Sequence, residues 1–146
     1  MIQKAECRQI LLQRRKAIPP KRREQAAQLL VDALKFEGNI LSFLSMGSEI
    51  DLGPLNQKLE REHRLFIVPY STEMQVPLEK ISCILVPGLG FDRKKDRIGY
   101  GKGFYDRFLL KAKHILTVGV GFQGQLLETN LPRDPWDISL DQLLLV

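Results

Sequence analysis

Two short apolar runs, each closed by a proline, most constrain what this chain can fold into: Leu65–Pro69 (LFIVP) and Cys83–Pro87 (CILVP). Neither alternates apolar with polar residues. A strand that is apolar on both faces has to be covered on both faces, the usual condition of a parallel sheet between helices. Asn39–Ser45 (NILSFLS) and Ile115–Gly121 (ILTVGVG) have the same character, and Gln142–Val146 is a final apolar run. Helical segments lie between them. Residues 2–17 read as a helix with Ile10 and Leu11 on one side and many basic residues on the other. Pro19-Pro20 ends it and suits the first turn of a second helix, which runs to about Phe36 on a core stripe of Ala26, Ala27, Leu30, Ala33 and Leu34. Asp51-Leu-Gly-Pro54 is a helix start, followed by Leu55 and Leu59 one turn apart. A fourth helix is expected from about Lys102 to Lys113. Strands alternating with helices predict an α/β fold: a single three-layer domain over residues 1–146, its mostly parallel sheet covered by helices on both faces.

Composition narrows the class. With 146 residues, 44% of them hydrophobic and 27% charged, the chain matches a globular domain and not a disordered or coiled-coil one. No apolar run approaches the ~20 residues of a membrane span, and the polar start MIQKAECRQ lacks a signal-peptide core. Cys7 and Cys83 stand in unrelated contexts and suggest no disulfide framework. A reduced, cytoplasmic protein is expected, with no membrane partner. The net charge of +5 is unevenly spread. Residues 1–24 hold eight basic and two acidic residues, residues 92–113 eight and three, which leaves six basic and twelve acidic elsewhere. Brought together by folding, the two blocks would form one electropositive site for a polyanion. Apart, they would be two solvated helix faces. No nucleic-acid recognition motif accompanies the charge, so nucleic acid is not an expected partner.

Chemistry concentrates in Val86–Phe108 (VPGLGFDRKKDRIGYGKGFYDRF). Its core, Arg97-Ile-Gly-Tyr-Gly-Lys-Gly103, sets three glycines at alternate positions just before a helix. Glycine lets backbone N–H groups approach a phosphate without interference from Cβ. The helix start adds its dipole and unpaired N–H groups, and Arg97 and Lys102 add charge. The spacing is that of neither the P-loop nor the dinucleotide fingerprint. Such a loop following a strand of a parallel sheet lies where sites in these folds collect. Two histidines, His63 and His114, have no metal-ligand spacing, and no Ser/Cys-His pattern suggests a covalent triad.

This segment resembles the signature of the 5-formyltetrahydrofolate cyclo-ligase family (methenyltetrahydrofolate synthetases), V-P-G-x-x-F-D followed by R-[LI]-G-x-G-x-G-[YF]-Y-D. Lys4-x-x-x-Arg8 resembles the family's N-terminal K-x-x-x-R. Phe43-Leu44-Ser45 with Glu49-Ile50 resembles its strand-and-loop substrate segment, and Leu131-Pro132 with Asp137 and Asp141 its C-terminal pattern. The resemblance implies ATP-driven, Mg2+-dependent closure of 5-formyltetrahydrofolate to 5,10-methenyltetrahydrofolate, with ADP and phosphate released. It assigns ATP binding to Lys4, Arg8 and the run Arg97, Ile98, Gly99, Tyr100, Gly101, Lys102, Gly103, Phe104 and Tyr105. It assigns catalysis to Lys102, Arg97 and Tyr105, folate contacts to Leu44, Glu49 and Tyr105, and Mg2+ to Asp106 and Asp137. The implied partners are small molecules and the implied working form a monomer. Trp136 occupies a position where the family often has histidine, and either walls the site or covers the core.

The chain departs from the family between Tyr70 and Ser82, where STEMQVPLEKI replaces a longer stretch that helps build the folate pocket. That leaves a second reading: a shortened relative that binds ATP but acts slowly or on another formyl or folate-like substrate.

Overall fold

The computed structural model describes residues 3–69, 76–101 and 103–146. Among the described residues four α-helices are formed: α1 (Lys4–Lys16), α2 (Pro20–Ala33), α3 (Gly53–Arg61) and α4 (Phe104–Lys111). The strands of the described residues follow the order β1 (Ile40–Ser42), β2 (Leu65–Ile67), β3 (Cys83–Val86), β4 (Gly90–Asp92), β5 (Arg97–Ile98), β6 (Leu116–Gly121), β7 (Leu126–Leu127) and β8 (Gln142–Leu145). The five apolar runs of the sequence become one all-parallel sheet in the order β2-β1-β3-β6-β8.

Alternate residues of each strand feed opposite sides. Cys83 and Leu85 of β3 join Val118 and Val120 of β6 against Ala26 and Leu30 of α2 and Leu55 and Leu59 of α3. Ile84 and Val86 join Leu41 against Tyr105, Phe108 and Leu109 of α4. This is the covering on both faces that continuous apolar strands demand, and the expected α/β architecture is what forms. At the start of α3, Asp51 Oδ1 accepts from the Gly53 N–H at 2.8 Å, with Pro54 in the first turn. Helix α2 stops at Ala33, three residues short of the expected Phe36, because Leu34 turns extended (ψ 112°). No helix among the described residues is long and apolar enough to cross a membrane.

Two details differ from expectation. Ile10 is exposed, and α1 buries Cys7, Leu11 and Arg15, residues four apart, as its inward stripe. The stretch expected as one glycine-rich loop contains β4 and β5, an antiparallel pair extended by β7 into a second, three-stranded sheet. Buried Asp92 holds the turn between them by accepting from the Lys94 and Asp96 N–H groups at 3.0 and 3.1 Å. Helix α1 packs on this second sheet through Cys7 and Leu11 against Leu89, Ile98 and Leu131.

Candidate functional site

The sheet order places a topological switch point between β1 and β3: from β1 the chain moves to one neighbour, β2, and then returns to the other, β3. Loops leaving the carboxyl ends of two such strands diverge and open a crevice. Here the crevice is a cavity of about 990 Å³. Met46, Gly47 and Glu49 line it from the loop after β1, and Pro87 and Gly88 from the loop after β3. Lys4 and Arg8 of α1, residues 97–101 and 103–107, and Asp134, Trp136 and Asp137 of the turn after β7 complete its walls. The two basic blocks of the sequence thus meet at one site.

The glycine loop is held from below by arginines. Arg8 Nε donates to the Gly99 carbonyl at 2.9 Å. Arg97 Nε donates to the Pro87 carbonyl at 2.9 Å, its guanidinium lies over the Tyr105 ring at 5.3 Å, and Asp106 Oδ1 is 3.9 Å from Nη1. Gly101 and Gly103 have φ of +95° and +68°, and a Cβ on Gly101 would approach the Arg8 guanidinium to 3.1 Å. The positive φ at both positions favours glycine, and a side chain at Gly101 would also have to push the Arg8 guanidinium aside. Gly103 is the N-cap of α4, so the helix opens directly onto the cavity. Ile98 points its side chain into the core beneath α1 and contributes backbone to the wall. Tyr105 is buried at the root of the loop, edge-to-face with Phe104 at 5.1 Å.

Two acidic features face this wall. Glu49 is buried, with its Oε1 accepting from the Met46 N–H at 2.8 Å. Burial pushes its carboxyl above the ordinary range, although that hydrogen bond and the charges of Arg15 and Arg97 oppose the rise. In the turn after β7, Lys4 Nζ donates to Asp134 Oδ2 at 2.6 Å and Asp137 Oδ2 at 2.7 Å. Burial alone would raise the Asp137 carboxyl, but the Asp134 N–H and the Lys4 ammonium outweigh it and hold Asp137 below the usual range. For Lys4, burial would lower the ammonium, and the two aspartates overcome this and hold it above its ordinary value. Arg133 ties the turn to the second sheet through Asp96 at 2.7 Å.

Lys4, Arg8, Glu49, Arg97, Ile98, Gly99, Tyr100, Gly101, Gly103, Phe104, Tyr105, Asp106 and Asp137 therefore line one cavity. Leu44 does not join them: it is exposed at 59% and lies outside the lining residues. Lys102 lies outside the described residues. Trp136 is 66% exposed and lines the cavity, so it walls the site and leaves the core to others. Sequence reasoning missed Arg15, whose side chain is buried behind the glycine loop. The signal was present, since Arg15 follows Cys7 and Leu11 at four-residue spacing on the stripe that faces the protein. Both cysteines are buried and unpaired, and burial together with Asp141 pushes the Cys83 thiol to about 12. That thiol stays protonated at neutral pH and is no nucleophile.

Asp106 and Asp137 supply hard oxygen donors to the same cavity, the donor chemistry that suits Mg2+. Among the described residues, no three His, Cys, Asp or Glu side chains form a cage. The pair fits Mg2+ as an ion that completes its shell with ligand oxygens and water.

Comparison with known proteins bears on the same residues. The model of the 5-formyltetrahydrofolate cyclo-ligase family matches residues 70–146. A protein named 5-formyltetrahydrofolate cyclo-ligase from Mycoplasma genitalium is 33% identical over 110 residues, 75% of this chain and 63% of its own length. One of the same name from Escherichia coli K12 is 26% identical over 171 residues, covering 90% of this chain and 93% of its own length. The matched part thus spans less than two thirds of the Mycoplasma genitalium relative, and 37% of one from Haemophilus influenzae. The solved structure of Aquifex aeolicus 5,10-methenyltetrahydrofolate synthetase superposes with a TM-score of 0.82 at 29% identity, over 97% of this chain and 89% of that one. That of a 5,10-methenyltetrahydrofolate synthetase from Mycoplasma pneumoniae shares the fold, with a TM-score of 0.79 at 23% identity over 97% and 98% of the two chains. More than half of the residues, the glycine loop and the acidic turn among them, answer to the family's model, and this chain belongs to the 5-formyltetrahydrofolate cyclo-ligase family.

Proposed function

We propose that the chain catalyses the ATP- and Mg2+-dependent closure of 5-formyltetrahydrofolate to 5,10-methenyltetrahydrofolate, releasing ADP and phosphate. One observation carries the reading. At the switch point, a single cavity has a cationic glycine loop opening α4 on one side and the buried carboxylate Glu49 on another, with Asp106 and Asp137 on its walls. The curated relatives bring the name of the reaction. A polyanion and a heterocycle with N–H donors are the two ligands such walls suit.

In this mechanism the loop amides and the α4 N-terminus receive the triphosphate, with Arg8, Lys4 and Lys102 neutralising its charge. Glu49 accepts hydrogen bonds from the pterin and fixes the formyl group toward the γ-phosphate. The γ-phosphoryl passes to the formyl oxygen and ADP leaves. The neighbouring nitrogen 10 then attacks the activated carbon and gives up its proton to water, and the C–O bond breaks to release phosphate. No protein nucleophile is needed. Positioning and charge neutralisation supply the rate, with Arg97 and Tyr105 keeping the loop in register. Asp106 and Asp137 would hold Mg2+, whose contribution is to offset charge on the transferring phosphate. ATP, Mg2+ and folate are the ligands of this reading, and a monomer in the cytoplasm is its working form.

The test is a spectrophotometric assay with MgATP and 5-formyltetrahydrofolate, following the near-ultraviolet absorbance of the methenyl product against phosphate release. ATP-dependent signal matched by phosphate is the expected result. MgATP binding without turnover would favour the second reading, a relative acting slowly or on another formyl or folate-like substrate. The short 71–81 stretch favours that reading. Loss of both binding and turnover would overturn both.

A further inference from the structure

We propose that Arg15 is a positioning residue that locks the folate-side loop and the ATP-side glycine loop to one another, an inference that rests on the cyclo-ligase reading of the cavity for the naming of the two sides. Arg15 is 1% exposed, which is rare for a guanidinium and costly unless its donors are satisfied. Its fork reaches three separate segments. Nε donates to Ser48 Oγ at 2.8 Å in the loop after β1, beside Glu49. Nη1 donates to the Gly88 carbonyl at 3.1 Å in the loop after β3. Nη2 donates to the Tyr100 hydroxyl in the glycine loop, with the guanidinium 5.5 Å from the centre of the Tyr100 ring.

Every one of these acceptors is neutral, and no carboxylate lies within ion-pair distance of Arg15 among the described residues. A core filler would be better made of leucine, and a stability device would be better paired. What a planar, always-charged fork does that neither can is hold three chain segments around one rigid group while leaving its positive charge unpaired beside the site. Two further contacts agree. Arg23 Nη1 donates to the Ser48 carbonyl at 2.9 Å, so the β1 loop is gripped at one residue by two arginines. The Arg15 charge also acts on Glu49, opposing the rise that burial imposes on that carboxyl. Tyr100 is half exposed, so its hydroxyl serves this contact without serving the core.

The two arms can be cut separately. Tyr100→Phe removes the glycine-loop arm, Ser48→Ala removes the β1-loop arm, and Arg15→Lys keeps the charge but loses the fork. In unliganded protein, 15N order parameters are compared at Gly99 and Gly101 and at Met46–Glu49; titrations with MgATP and with 5-formyltetrahydrofolate, and the KM for each, accompany them. Tyr100→Phe should loosen Gly99 and Gly101 alone and weaken MgATP by about five- to tenfold, the scale of one ordinary net hydrogen bond. Ser48→Ala should loosen Met46–Glu49 alone and weaken 5-formyltetrahydrofolate by a similar factor. Arg15→Lys should do both. A Tyr100→Phe or Ser48→Ala variant that leaves its own loop as ordered as the wild type, or that weakens the two ligands equally, overturns the proposal. Should Arg15→Lys not fold, the other two variants decide. A wild type that binds neither ligand would overturn the cyclo-ligase reading. The order parameters would still show whether Arg15 locks the loops.

Discussion

On the glycine-loop wall, Arg8 and Arg97 donate to the Gly99 and Pro87 carbonyls at 2.9 Å, with Asp106 no closer to Arg97 than 3.9 Å, whereas at the turn after β7 Lys4 sits between two aspartates at 2.6 and 2.7 Å. Both arrangements satisfy a buried or half-buried cation, but they do different things to its charge. A neutral acceptor fixes a guanidinium in place without cancelling its field, so the first wall stays electropositive and preorganised for an anion. An ion pair cancels the field at short range, so the Lys4 charge reaches an anion only once its aspartates take another cation. Position and potential are supplied together at one wall and exchanged against each other at the other.

The largest effect should come from the loop itself. Lys102→Ala should lose about a hundred- to a thousandfold in kcat while the fold survives, the usual consequence of removing a group that the proposed mechanism sets against developing charge. A kcat near that of the wild type would leave the arginines beneath the loop as sufficient. Glu49→Gln comes next, with about ten- to a hundredfold weaker 5-formyltetrahydrofolate binding expected from loss of a charged hydrogen-bond acceptor. The same variant should be more stable than the wild type at neutral pH. Because the folded carboxyl titrates above its ordinary value of 4.5, the wild type loses stability as pH rises from there through the raised value. The gain in Tm should therefore be absent below about that ordinary value and level off above the raised one. A Tm difference that does not change with pH would mean Glu49 is less desolvated than its burial indicates.

The contrast between the walls also tracks what could be read beforehand. The parallel sheet was legible because both faces of each strand are apolar, and Lys4, Arg8 and the glycine loop because motif and charge coincide. The second sheet was not. Gly90–Asp92 and Arg97–Ile98 are short, and Arg93, Lys94 and Lys95 between them look like solvated loop; the turn is made by buried Asp92 accepting from N–H groups that no pattern announces. Arg15 was hidden among Arg14, Arg15 and Lys16, three neighbours of which helical phase buries one. The Lys4–Asp134–Asp137 pairing joins residues 130 and 133 positions apart, a contact that only the fold supplies. Leu44 shows the reverse failure: the pattern places it beside Glu49, yet it faces solvent while Glu49 turns inward.

Smaller effects test the carboxylates that line the cavity. Asp106→Asn should raise the Mg2+ concentration needed for half-maximal rate by about tenfold or more, the scale on which ligand-shell changes act. An unmoved Mg2+ titration would show that Asp106 serves Arg97 at 3.9 Å and nothing else.

The smallest effect, and the one that bears most directly on the two walls, is expected from Lys4→Met. It removes one cation that the proposed mechanism sets against the triphosphate, so MgATP should bind only several-fold more weakly, because the ammonium it deletes was already neutralised by two carboxylates. It also frees those carboxylates, so half-saturation by Mg2+ at fixed ATP should fall, the opposite of what Asp106→Asn does. Its pH signature has a defined sign. The lowered Asp137 carboxyl contributes stability above its ordinary value of 3.8, which is lost as pH falls through the folded value. Without Lys4 the Asp137 value rises, so the acid limb of the Tm profile should shift to higher pH, while the two proteins converge below both values. If Lys4→Met instead weakens MgATP as severely as Lys102→Ala cripples kcat, the ion pair is not a reserve of charge. The turn after β7 would then serve phosphate as directly as the glycine loop does.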